Sequence, residues 1–160
     1  MMTAITVGAL GTDICLKTIS LTCSKSIDMI TYFATNTHPS FGEFNNLLTR
    51  ADLAVKINKI RQLINEFKHK EETGFKFQKS IQMSISDVDD AIIKINRILD
   101  ETKIAKEEHE QKYFNGWRSA DCSGQIESLK MSADILESRF NDLVKVLTIH
   151  NSIDKHNNSN

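Results

Sequence analysis

With a single proline, six glycines, one tryptophan and three cysteines in 160 residues, the chain has few means of turning sharply and few of cross-linking itself. Scarce proline and glycine argue against a turn-rich all-β protein and favour long uninterrupted helices. Cys15, Cys23 and Cys122 are odd in number and form no C-x-x-C pair, so they suit a reducing compartment better than a disulfide framework. No run approaches the roughly 18 consecutive apolar residues of a membrane-crossing helix. The first positive side chain is Lys17, too late for the basic start of a secretory leader, and the chain reads as cytosolic. A formal charge of −1 offers no global attraction to nucleic acid, which is not expected as a partner.

What is present is helical periodicity in a globular composition, 40% hydrophobic and 26% charged, which is not that of a disordered chain. Ile81, Ile85, Val88, Ile92, Ile95 and Leu99 recur at steps of four and three. Ile126, Leu129, Ala133, Leu136, Phe140, Leu143 and Leu147 repeat the pattern. Helices with single apolar stripes bury them against one another, so the expected fold is all-α, an antiparallel bundle of four or five long helices. One bundle domain is expected over 1–150, followed by an Asn- and Ser-rich disordered tail over 151–160.

Residues 1–12 carry no charged side chain, and from Asp13 a stripe of Leu16, Ile19, Cys23, Ile27, Ile30 and Ala34 predicts a helix ending near Asn36. Pro39 breaks the chain, and Ser40 with Glu43 has capping-box spacing for a second helix. That helix carries Phe44, Leu48, Ala51 and Val55 and then Leu53, Ile57, Ile60, Ile64 and Phe67, a drift that predicts a bend or a broad face near Arg50. Lys68 to Gly74 reads as a turn, and Phe75 and Phe77 as a staple on the third helix, which continues toward Tyr113 and Phe114. Asn115-Gly116 is a turn signal, Trp117 reads as the cap of one end of the core, and the last helix runs from about Gly124 to about His150.

Charge is placed unevenly. Arg50 to Lys79 holds eight basic and four acidic residues, a balance of +4, whereas Asp87 to Glu110 holds eight acidic and four basic, a balance of −4. One reading is that neighbouring helices complement each other. The other is a basic face for anionic lipid, where each Lys or Arg contributes about 1 kcal/mol.

Chemistry-bearing motifs are sparse. Glu66 with His69 is the lone Glu-x-x-His pair, where a di-metal bundle needs two, and Glu107-Glu108-His109-Glu110 reads as a solvated face. No phosphate-binding glycine loop or G-x-S-x-G elbow occurs. No catalytic residue, metal or cofactor is therefore expected, and a buried small hydrophobe is the reading of Cys15 and Cys23.

The order of Ile5-x-Val7-Gly8-Ala9-Leu10, a cysteine-bearing helix, Phe41-Gly42-x-Phe44, Leu48-x-x-Ala51-x-x-Ala54 and Phe77-Gln78-Lys79-Ser80-Ile81 resembles the HeLo and HeLo-like N-terminal domains of fungal cell-death proteins. The layout is also similar to the four-helix bundle of the mixed-lineage kinase-like family. The resemblance covers about residues 3–149; it departs from some members in the short 68–74 connection and in Asp13, which interrupts the apolar start. It implies a non-enzymatic bundle that self-associates and permeabilises membrane through its N-terminal segment, moving from cytoplasm to plasma membrane. On that expectation Ile5, Val7, Leu10 and Ile14 insert, and Lys56, Lys59 and Arg61 hold anionic headgroups. A regulatory domain or helical partner would hold it quiet. The rival expectation is a cytosolic interaction module, adaptor or inhibitory, with no membrane activity.

Overall fold

The computed structural model describes residues 7–112 and 120–157, with side chains over 15–112 and 120–153. Its elements are α1 (Val7–Thr35), a 3-10 turn (Pro39–Phe41), α2 (Gly42–Arg50), α3 (Leu53–Glu72), α4 (Lys79–Glu110) and α5 (Ser123–Asn157), with no strand among the described residues. The all-α bundle follows from the stripes. The six stripe positions Ile81, Ile85, Val88, Ile92, Ile95 and Leu99 are buried, as are Ile126, Leu129, Ala133, Leu136 and Leu143 on α5 and Leu16, Ile19, Cys23 and Ile30 on α1. Ala34 is exposed.

Each boundary has a local cause. Asn36 ends α1 by donating both its backbone N–H (2.9 Å) and its side-chain amide (3.0 Å) to the Tyr32 carbonyl. The Ser40–Glu43 capping box does not form. Pro39 starts a 3-10 turn instead, and His38 Nδ1 accepts the Ser40 N–H at 3.2 Å. The drift near Arg50 becomes a break between two helices. Phe44 and Leu48 bury on α2, whereas Leu53, Ile57, Ile60, Ile64 and Phe67 bury on α3. Leu48 and Leu53 are five residues apart, about 140° around a helix, so one straight helix cannot turn both inward. Asp52, at φ 51° and ψ 35°, makes the kink, and Asp is among the few residues that visit this left-handed region at low cost.

α3 ends as the glycine in the sequence predicts. Gly74 has φ +87°, its N–H donates to Glu71 (2.9 Å), and Phe75 N–H donates to Lys70 (3.1 Å), together a Schellman cap. Phe77 then packs on Phe67 at 4.8 Å between ring centroids and enters the core, while Phe75 stacks edge-on against it at 5.1 Å and stays 47% exposed. α5 carries on through Asn157, past the His150 boundary read from the sequence. Tyr113, Phe114, the Asn115-Gly116 turn and Trp117 lie outside the described residues.

The long helices alternate in direction. Cys15 lies in the field of Glu71 and Cys23 in that of Arg61, so α1 and α3 are antiparallel. Arg139 donates to the Asp87 carbonyl (2.6 Å) and Ser80 Oγ meets His150 Nε2 (2.9 Å), so α4 and α5 are antiparallel. α1 and α4 are neighbours that run the same way, joined from Thr22–Asn96 through Lys25–Asp100 to Tyr32–Glu107. One end of the bundle therefore gathers the start of α1, the α3–α4 turn, the start of α4 and the end of α5. The opposite end is closed by Phe33 on Phe44 (5.1 Å), His38 on His109 (5.4 Å) and Lys106, which is 2% exposed and donates to Glu110 Oε1 at 2.6 Å.

Candidate functional site

The end where α1 begins is the candidate site, because topology assembles there features that the sequence scatters. The Schellman cap at Gly74 turns the chain outward, so Phe75 presents half its ring to solvent. Lys70, Lys76 and Lys79 around it are exposed, and Lys68 is half-buried. Within the turn itself, residues 68–79, the acidic residues are Glu71 and Glu72, the latter 3.5 Å from His69. On α5 the exposed Ile149 and Ile153 flank His150, which ties this end to Ser80 on α4. An aromatic ring with lysines around it is a combination suited to an interface between water and an anionic surface.

Of the predicted inserting residues, Ile5 lies outside the described residues. Val7, Leu10 and Ile14 fall in the first turns of α1, and their side chains lie outside the described ones. Lys56, Lys59 and Arg61 are not brought together. At about 100° per residue, Lys56 and Lys59 sit about 60° apart, and Arg61 about 140° from Lys56 on the other flank of the buried stripe. Lys56 Nζ pairs with Glu137 on α5 (2.7 Å), Arg61 Nη2 donates to Asn58 Oδ1 (2.8 Å), and Lys59 is exposed. They also lie about 17 to 24 Å along α3 from its end at Glu72, where the helix points toward the start of α1. The lysines of the α3–α4 turn at that end are Lys68, Lys70, Lys76 and Lys79. The sequence places them in the +4 segment without singling them out as headgroup residues, although a glycine-terminated helix followed by Phe75-Lys76 is a signal for them.

The +4 and −4 segments are not matched to each other by packing. The extensive contacts of α4 are with α1 and α5, and those of α3 are with α1. Among the described residues two ion pairs cross between helices, at Lys25–Asp100 and Lys56–Glu137, each with substantial exposure, and such pairs contribute at most about 1 kcal/mol.

A polar seam runs between α1 and α4. Ser26 Oγ donates to Asn96 Oδ1 (2.6 Å), and Asn96 Nδ2 donates to the Thr22 carbonyl (3.0 Å), so the buried Asn96 amide is satisfied and sets the register of the two helices. Two turns away, Asp89 is buried with Oδ1 lacking a hydrogen-bond partner. Burial raises the Asp89 carboxyl above the ordinary carboxylate range, the Thr22 hydroxyl opposes that rise, and the Asp90 charge adds to it. Burial also pushes the Cys23 thiol up to about 12, with Asp89 adding to the rise and Arg61 opposing it. Cys15 and Cys122 are raised by burial as well. Three free thiols held in the protonated form are poor nucleophiles. Among the described residues no group of three or more His, Cys, Asp or Glu could hold a metal, and no helix is long and apolar enough to cross a membrane.

Compared with protein-family models, curated proteins and solved structures, the chain matches none.

Proposed function

We propose that this chain is a non-enzymatic, membrane-active bundle of the cell-death type, which self-associates and permeabilises an anionic membrane through the segment that opens α1. The observation that carries this reading is the shared end: the start of α1, the α3–α4 turn with exposed Phe75, Lys70, Lys76 and Lys79, and the end of α5 with exposed Ile149 and Ile153 lie at the same end of the bundle. A surface that holds headgroups beside the start of α1 delivers that segment to the bilayer without rearranging the rest of the bundle. On this reading Ile5, Val7, Leu10 and Ile14 insert. Headgroup binding moves from Lys56, Lys59 and Arg61 to the lysines of the α3–α4 turn. The HeLo-like order of motifs supports the same reading.

Dye release from vesicles, half with and half without anionic lipid, tests it on the full chain and on a chain lacking residues 1–12, both checked for helicity by circular dichroism. Leakage that requires both the segment and the anionic lipid is expected. No leakage from the folded full chain, even after forced oligomerisation, would refute it. The second reading, an interaction module for a helical or regulatory partner, is favoured by Leu21 at 72% exposure beside Ile93 on α4, which line an open groove between α1 and α4. It predicts binding without membrane.

A further inference from the structure

We propose that α5 carries a two-fold self-recognition surface, through which two copies of this chain pair helix against antiparallel helix about Asp142. Besides the stripe that faces the core, α5 holds a second line of apolar side chains that the fold leaves outside. Met131 (60%), Ile135 (36%), Ile149 (58%) and Ile153 (48%) are all exposed. Ser138, Asp142 and Val146 fill the turns between them, so the line advances in steps of 4, 3, 4, 4, 3 and 4 residues. At about 100° per residue it occupies about 80° of arc, centred about 120° round the helix from Leu129, Leu136 and Leu143, which are buried. Steps of 4, 3 and 4 repeat every 11 residues, close to the period of an undistorted helix, so two nearly straight helices keep their lines together over 131–153, about 33 Å.

The order of the steps points to a second copy as the occupant, because it reads the same in both directions from Asp142. Laid antiparallel with the two Asp142 residues opposite, Met131 meets Ile153 of the second copy and Ile135 meets Ile149, and the same contacts recur at the other end. A two-fold interface requires that reciprocity. Charge agrees with it. Each Asp142 brings Lys145 Nζ at 3.0 Å, so the central layer holds two carboxylates and two ammonium groups and is neutral. Parallel pairing would set the lysine-rich turn ends of the two copies side by side, whereas antiparallel pairing holds them apart and opposes the helix dipoles. One helix pair of this length is at the small end of specific interfaces, so the dimer is reversible, with a dissociation constant on the order of 10 µM. Pairing covers Ile149 and Ile153 and points the two α1 starts in opposite directions. The dimer is then a resting form that withholds that end from a bilayer; this consequence rests on the membrane-active reading, and the dimer itself does not.

The test uses the full chain without lipid, so its failure is distinct from failure of that reading. Sedimentation velocity over about 1 to 200 µM should show a monomer–dimer equilibrium. Ile135→Glu and Ile149→Glu each enter the interface twice and should raise the dissociation constant about a hundredfold or more, with unchanged circular dichroism because both side chains are exposed. Val144→Glu, at a side chain 43% exposed but on the opposite side of α5, should leave the equilibrium as it is. Mild oxidation reads the register. Asp142→Cys meets itself at the two-fold axis and should cross-link alone, while Met131→Cys should link only to Ile153→Cys when the two variants are mixed. The native sequence, whose three thiols are buried or half-buried, gives the baseline. A chain that stays monomeric at about 200 µM overturns the proposal, as does Val144→Glu weakening the dimer as much as Ile149→Glu. Self-linkage of Met131→Cys as fast as that of Asp142→Cys would show parallel pairing and overturn it as well.

Discussion

Removing the lysine charges of the α3–α4 turn should weaken attachment to anionic vesicles by about a hundredfold. The perturbation is Lys70→Gln, Lys76→Gln and Lys79→Gln together. All three side chains are exposed and form no ion pair among the described residues, so the folded state loses little with them and the unfolding temperature should stay within the range of neutral surface changes. At about 1 kcal/mol for each basic residue near an anionic leaflet, three lysines supply about 3 kcal/mol, which is about two decades in affinity. Lys68 is left in place because it is half-buried. Co-sedimentation with vesicles containing phosphatidylserine measures the change, against vesicles of phosphatidylcholine alone. The difference should collapse in about 0.5 M salt, where the screening length falls to about 4 Å. A parallel variant, Lys56→Gln, Lys59→Gln and Arg61→Gln, serves as the comparison. Its charges lie about 17 to 24 Å from the turn end of α3 and on both flanks of the helix, so it should lose much less. If the mid-helix variant loses as much as the turn variant, or if neither loses affinity, the assignment of headgroup binding to the turn is wrong.

Gly74→Ala should destabilise the bundle by about 1 kcal/mol or somewhat more, read as a lower urea midpoint with unchanged slope, because φ +87° strains any side chain even where space is open. An unchanged midpoint would show that the cap is not held in the native ensemble. Cys23 should resist Ellman's reagent in the native protein at about pH 8, where a thiol near 12 is ionised in only about one molecule in ten thousand, and should react on unfolding. Its raised folded value contributes stability that is present below the unfolded value near 9 and is lost as pH rises toward 12, so the native sequence should lose stability across that window more steeply than Cys23→Ala. Parallel curves for the two would contradict the burial argument.

The fold class and most of the core were legible in one dimension, because burial of a helix face is periodic and the period is a property of the helix itself. Every position of the Ile81–Leu99 stripe is inside, and the end of α1 and the turn at Gly74 lie where Pro39 and glycine place them. The α2–α3 break was visible only as a drift in the stripe. What makes it a break is one residue, Asp52, adopting a left-handed conformation that no spacing records. The end of α5 was misjudged because polar composition says where a helix lacks packing and leaves open whether its backbone continues.

The candidate site divides in the same way. Sequence alone determined that there are long amphipathic helices and that charge is segregated along them. Which lysines lie beside the start of α1 was decided by tertiary structure, through the direction of each helix and the neighbours it packs on. Lys56 and Lys79 belong to one basic segment, yet the first is paired across to α5 and the second stands at the turn where α1 begins. Likewise Ser26 and Asn96 become partners only because α1 and α4 lie side by side in the same direction. Periodicity is a local property, repeated every turn of a helix. Adjacency between helices is a long-range choice among packings that bury similar area, and buried polar groups select among them.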